Sequence, residues 1–243
     1  IGKLLKSLAI PAIIANLVNA LYNVVDQIFI GQGIGYLGNA ATNIAFPITT
    51  MCLAIGLTLG IGGASNFNLE LGKGYPEKSK HTAGTAASTL IIIGIILCIT
   101  VRIFLEPLMI GFGATNKILE YSMEYTGITS YGIPFLLFSI GVNPLVRADG
   151  NAKYSMIAIV IGAILNTILD PLFMFVYNLG IAGAAWATVI SQIISALLLL
   201  IYFPKFKSVK FSLNDFIPQL HYLKRIISLG FASFIYQFSN MIV

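Results

Sequence analysis

Apolar runs of about twenty residues recur along this chain. That limits its architecture more than any other feature, because twenty helical residues at 1.5 Å each cross the roughly 30 Å hydrocarbon layer of a bilayer. The runs fall at about 7–30, 40–65, 83–105, 123–146, 154–177 and 181–203, with an unfinished one from about 226. Stretches such as Thr89 to Thr100 (TLIIIGIILCIT) show no period-two alternation. Membrane β-strands are thereby removed, which leaves helices, the other element that satisfies its own backbone in lipid. The predicted fold class is all-α, a polytopic membrane helical bundle. Charge agrees: only 9% of residues are charged, against about 25% in soluble domains, too few to solvate a globular surface. Cys52 and Cys98 sit singly inside apolar runs, with no disulfide or metal-ligand spacing, and read as packing residues.

Loop lysines and arginines orient such bundles. With the amino terminus in the cytoplasm, that side receives Lys3, Lys6, Lys73, Lys78, Lys80, Arg147, Lys153, Lys205, Lys207, Lys210, Lys224 and Arg225, leaving only Arg102 and Lys117 of the 14 outside. The loop read over 66–82 carries Lys73, Lys78 and Lys80, taken as topogenic and headgroup-facing, and His81, taken as exposed. The net charge of +5 thus reports orientation and implies no nucleic-acid partner.

The chain starts at Ile1 without a cleavable signal and stops at Val243 inside an apolar run, so it reads as a fragment. After the long polar connection from Pro204 to Tyr222 the pattern partly restarts. Ser7-Leu8 aligns with Ser228-Leu229, Ile14 with Ile235 and Asn19 with Asn240, an offset of 228 − 7 = 221 residues. Two parallel six-helix repeats are expected. The division is then an amino-terminal lobe over 1–203, a cytoplasmic linker over 204–225, and the start of a second lobe over 226–243.

Asp26 and Asp170 are the carboxylates deep inside these spans, and each costs about 2.5–3.5 kcal/mol at mid-membrane on insertion scales. Counting inward from the outer span ends at 1.5 Å per residue, Asp26 lies about 7–8 Å down, Asp170 about 10 Å and Thr188 about 7–8 Å. Asn166 precedes Asp170 by four residues and shares its helix face. Pro171 has no N–H to give the Thr167 carbonyl, which frees another oxygen nearby. An oxygen-rich shell of this kind suits a hard cation, while two close carboxylates can instead share a proton. The same residues also admit a purely structural role, as hydrogen-bond partners between helices.

Other signals point to packing. Gly33 to Gly38 (GIGYLG) matches a dinucleotide-binding spacing but follows no strand and is rejected. Gly56, Gly60, Gly62, Gly63, Ala64, Gly183, Ala184 and Ala187 are spaced for close helix contact. Arg102 and Glu106, four apart, read as a solvated pair. Pro11, Pro47, Pro134 and Pro144 are hinges or tolerated kinks.

Four segments together resemble the multidrug and toxic compound extrusion (MATE) transporters, in the form of their MepA-like bacterial branch: YNVVDQIFIG (Tyr22 to Gly31), PLVRADGNAKYSM (Pro144 to Met156), LNTILDPLF (Leu165 to Phe173) and LGIAGAAWATVIS (Leu179 to Ser191). The resemblance spans the chain as an amino-terminal lobe plus the start of the second. Ser155 departs from it, where many relatives carry Pro, which puts local loop geometry in doubt. It implies that Asp26, Asn166, Asp170 and Thr188 form a cation or proton site. It further implies a bacterial plasma-membrane antiporter that takes in Na⁺ or H⁺ and expels small amphiphilic, usually cationic, compounds, with no cofactor beyond the coupling ion. The second lobe of the same chain and the lipid bilayer are the remaining partners. A flippase for lipid-linked saccharides is the alternative, though its headgroup cavity should carry cations within the spans. No enzyme motif such as H-E-x-x-H or a nucleophile elbow is present.

Overall fold

The computed structural model describes the backbone of residues 2–242 and the side chains of residues 9–237 and 239. The side chains of Lys3, Lys6, Ser7, Leu8 and Asn240 lie outside the described residues. Among the described residues the chain is helical without strands: α1 (Gly2–Gly33), α2 (Tyr36–Gly72), α3 (Pro76–Ile103), α4 (Leu105–Gly111), α5 (Asn116–Thr129), α6 (Ile133–Ala148), α7 (Ala152–Pro171), α8 (Gly180–Tyr202) and α9 (Leu220–Ile242). Six segments are long and apolar enough to cross a membrane, the fourth being α5 and α6 joined through a 3₁₀ turn at Ser130–Gly132. These are the six complete spans expected.

The polar stretch 66–82 is not a loop. Helix α2 runs on to Gly72 and α3 starts at Pro76, because the polar side chains there find partners inside the bundle. Asn66 donates to Thr82 Oγ1 (2.8 Å) and Ser79 to the Phe67 carbonyl (3.1 Å). Buried Glu70 meets Arg225 of α9 at 2.8 Å and Lys73 at 3.5 Å. Nor is His81 simply exposed. It lies on α3, with Nδ1 3.1 Å from Asp215 and its ring stacked on Tyr222. Lys80, read as facing lipid headgroups, is paired with Glu77 (2.6 Å) and lies 3.8 Å from Asp215.

Arg102 does not form the predicted pair with Glu106. The helix breaks at Phe104 and puts Glu106 on α4. Arg102 instead reaches the Gly127 carbonyl (2.9 Å) and lies over the Tyr131 ring (4.1 Å), bracing the turn between α5 and α6. Pro134 lies at the start of α6 rather than inside a helix, while Pro11, Pro47 and Pro144 are internal. Ser155 belongs to the first turn of α7, not to a loop. It donates to Asn143 Oδ1 (2.8 Å), and Asn143 donates back to its carbonyl (3.1 Å).

The segment after α8 packs rather than dangles. Phe203, Phe206, Phe211 and Phe216 form one aromatic cluster continuous with Phe67, Leu145 and Tyr202. Buried Asp149 accepts from the Tyr202 hydroxyl (2.8 Å) and from the N–H groups of Lys207 (2.9 Å) and Ser208 (2.9 Å). Helix α9 begins at Leu220, inside the stretch read as linker, and lies along α2. A Cβ at Gly62 would overlap the Ile226 carbonyl, and one at Gly230 the Thr58 carbonyl, so backbone meets backbone there. Helices α7 and α8 are laced together: Ser195 donates to the Ala158 carbonyl (3.3 Å) and Tyr154 to the Leu198 carbonyl (2.6 Å).

Two expected results arise here. Lys78 is exposed where its neighbour Ser79 is buried, so it can carry a topology label. Cysteines at Lys78 and Ser208 should react only from the cytoplasm, and one at Asn116 only from outside; reversal at any of them sinks the orientation. The second concerns Asp215. Burial opposes its ionisation, but the Ser212 N–H and hydroxyl, with Lys80 and His81, outweigh that and hold its carboxyl below the usual range. A lowered folded pKa means that its contribution is complete above the ordinary value of about 3.9 and lost as pH falls below it. Asp215→Asn should therefore loosen residues 204–219, by about 2 kcal/mol, at pH 7 and by less at pH 3. Limited proteolysis at the two pH values, with an acid-stable protease, checks this.

Candidate ion-binding site

Three helices supply the predicted residues: α1 carries Asp26, α7 carries Asn166 and Asp170, and α8 carries Thr188. All four come together. The Asn166 amide donates to Asp170 Oδ1 (3.2 Å) and to Thr188 Oγ1 (3.3 Å), which joins α7 to α8. The carboxyl groups of Asp26 and Asp170 lie within hydrogen-bonding reach of each other across the α1–α7 contact. Asp170 is 0% exposed, Asn166 2% and Asp26 8%.

Local sequence explains the placement. Asn166 and Asp170, one turn apart on α7, face the same way. Pro171 closes the α-helix, and the chain continues through a π turn at Leu172–Val176 in which the Tyr177 N–H bonds the Leu172 carbonyl (3.0 Å). Gly183 lets α8 approach that turn closely: a Cβ there would stand 2.8 Å from the Phe173 carbonyl carbon. The small residues of α8 thus do the packing assigned to them.

Asp26 Oδ1, Asn166 Oδ1 and Asp170 Oδ2 are buried without a protein hydrogen-bond partner. Buried lone pairs of this kind are expensive unless something donates to them or binds them. Two carboxylates this close repel unless a proton or cation lies between them. The donor set, all oxygen, fits Na⁺ or a shared proton and is too hard for a soft metal.

Two residues of this site escaped the sequence reading. Tyr125, from α5, stands beside Thr188, and both Tyr22 and Tyr125 stand close to the two carboxyls. Tyr22 precedes Asp26 by four residues, a spacing that could have flagged it. A third is Gln27, whose amide lies 3.4 Å from Asp26 Oδ2 and whose Oε1 accepts from Thr42 of α2 (3.1 Å).

The family model described as MatE matches residues 11–172, two thirds of the chain and the part containing Asp26, Asn166 and Asp170. The chain belongs to the MatE family. Among its curated relatives are the multidrug export protein MepA of Staphylococcus haemolyticus, 26% identical over 240 residues, and the probable multidrug resistance protein YoeA of Bacillus subtilis, 28% identical over 206. The alignments cover 97% and 82% of this MatE chain, but 52% and 44% of those proteins. The chain therefore spans about half the length of the curated relatives it matches. Solved structures agree. A MOP superfamily transporter from Pyrococcus furiosus superposes with a TM-score of 0.90 at 30% identity, covering 99% of this MatE chain and 53% of that one. A structure described as MATE in the straight conformation gives 0.91 at 30%, covering 99% and 54%. The all-α bundle is thus the architecture of one half of these transporters. The matched proteins are named as exporters and transporters rather than enzymes.

Proposed function

We propose that this MatE chain forms the amino-terminal half of a secondary transporter that expels small amphiphilic organic cations by Na⁺- or H⁺-coupled antiport. The observation that carries this is the pair of buried carboxyls, Asp26 and Asp170, with unpartnered oxygens beside them. A binding site that can hold one cation or one proton, and that must change when it is emptied, is what ion coupling requires. In this reading Asp26 and Asp170 hold the ion, Asn166 and Thr188 fix their geometry across α7 and α8, and Tyr125 steadies Thr188. Loading from outside and release inside follow from alternating access of two lobes around this site in the outer half of the bundle. The amino terminus is cytoplasmic, the membrane is a bacterial plasma membrane, and the second lobe completes the cleft. The names of the staphylococcal and Bacillus relatives support multidrug cargo.

The test is ion movement driven by cargo. In proteoliposomes of the full chain preloaded with Na⁺, or with an acid interior, external ethidium should accelerate ion loss, and an opposed ion gradient should drive ethidium transport. Ethidium transport with no accompanying ion flux overturns antiport, and a requirement for lipid-linked saccharide would replace it with the flippase reading.

A further inference from the structure

Helix α1 carries a row of neutral amides, of which only Gln27 touches the ion site. Asn16, Asn19, Asn23 and Gln27 recur at helical spacing, so they share one face. The first three are exposed, although Asn23 lies ten residues before the end of α1 at Gly33, about 15 Å below it at the helical rise. Exposed amides at that depth do not face hydrocarbon without loss, so this face of α1 borders water or protein rather than lipid. Toward the outer end the row enters an open groove between α1 and α2, about 520 Å³ in volume, lined by Asn23, Gln27, Gln32 and Asn39 with Val24 and Ile28. Its lining combines hydrogen-bonding amides with apolar surface and contains no charged side chain. That chemistry fits an amphiphilic cation bearing N–H donors, since amide oxygens accept from it without a buried countercharge.

Gln27 belongs to both places. It lines the groove, and the same amide group reaches the Asp26 carboxylate while accepting from Thr42, which also donates to the Asn39 carbonyl (2.9 Å). Resting on the antiport reading above, we propose that Gln27 is the positioning residue through which cargo in the α1–α2 groove and the ion at Asp26 sense each other. A cargo N–H competes for Gln27 Oε1 with the Thr42 hydroxyl. The amide that then turns toward cargo withdraws its N–H from Asp26, and the carboxylate holds its ion differently. By linkage the effect is reciprocal: whatever factor cargo imposes on ion affinity, the ion imposes on cargo affinity.

The experiment measures that factor directly. On the full chain in detergent, Na⁺ titrations at fixed pH and pH titrations without Na⁺ are followed by tyrosine fluorescence, with and without saturating ethidium. Tetraphenylphosphonium, a cation without N–H donors, is run in parallel. In the unmodified chain ethidium should shift the ion midpoint by about fivefold or more, within the range of ordinary coupling, and tetraphenylphosphonium should shift it far less. Gln27→Met should bring the ethidium shift close to onefold, whatever happens to the separate affinities. Thr42→Val, which removes the other end of the bridge at similar volume, should reduce it in part. A residue that merely stabilises the fold would lower yield or both affinities and leave the ratio alone. A full ethidium shift in Gln27→Met overturns the assignment while antiport stands. No shift with either cation in the unmodified chain, and no ion response at all, overturns both.

Discussion

Asp170→Asn should reduce ion-driven efflux to the level of empty vesicles while protein yield stays normal. The amide keeps the volume of the carboxyl, and its oxygen can still accept from Asn166, whose 3.2 Å bond ties α7 to itself one turn down. What it cannot do is hold a charge that appears and disappears with the ion, and without that change the two conformations lose their difference in ion affinity. Replacing a buried carboxyl by a neutral amide also removes the desolvation that its charged form costs, so the melting temperature should hold or rise. Asp26→Asn should behave alike. Thr188→Ala removes one neutral ligand and should weaken coupling by about tenfold, the 1–1.5 kcal/mol of a single hydrogen bond. If the carboxyls only join helices, the pattern inverts: melting temperatures drop and transport per folded molecule is nearly normal. Efflux and melting measured on the same reconstituted variants separate the two, and normal gradient-driven efflux in both Asn variants would remove the site from the coupling mechanism.

Gly62→Leu is expected to be as damaging to folding as Asp170→Asn is to coupling. At Gly62 a Cβ would overlap the Ile226 carbonyl and stand 2.9 Å from the Gly230 nitrogen. Both neighbours are backbone, so no rotamer change makes room and α9 must move off α2. The price is at the severe end for point substitutions, above about 3 kcal/mol. Gly72→Ala is the control, because nothing lies within 4 Å of a Cβ there and its φ is not in the left-handed region. It should be neutral or slightly stabilising, by about 0.5–1 kcal/mol. Thermal melting of the two purified variants tests the contrast; equal stability would mean that the α2–α9 contact is dispensable.

Much of this was legible because charge and apolarity act over whole spans. Asp26 and Asp170 announced themselves as carboxylates where lipid forbids them, and helical rise set Thr188 at a matching depth. Residues that satisfy each other across helices were not legible in the same way. Asn66, Ser79 and Thr82 look like loop residues until their partners are seen, and Glu70 looks like a surface acid until Arg225 reaches it. Tyr125 was hidden because α5 and α6 read as one span, so nothing singled out its face. The amides of α1 carry no charge to mark them, and only their exposure at depth gives them meaning. His81 needed Asp215, 134 residues away in sequence, before it could be anything but a polar residue near a helix end.

The lacing of α7 to α8 has a mechanical consequence. Hydrogen bonds tie the pair at Asn166 and Thr188, again at Ala158 and Ser195 and again at Tyr154 and Leu198, while Asp149, in the turn that leads into α7, holds Tyr202 at the end of α8. Sliding one helix by a single residue, about 1.5 Å, would break every tie together, so the pair pivots as a stiff strut. A push on residues 207 and 208, which grip Asp149, therefore arrives at Thr188 as leverage rather than being absorbed on the way. Two of the three walls around Asp170 keep a fixed gauge, and the spacing left to adjust is the one to Asp26 on α1.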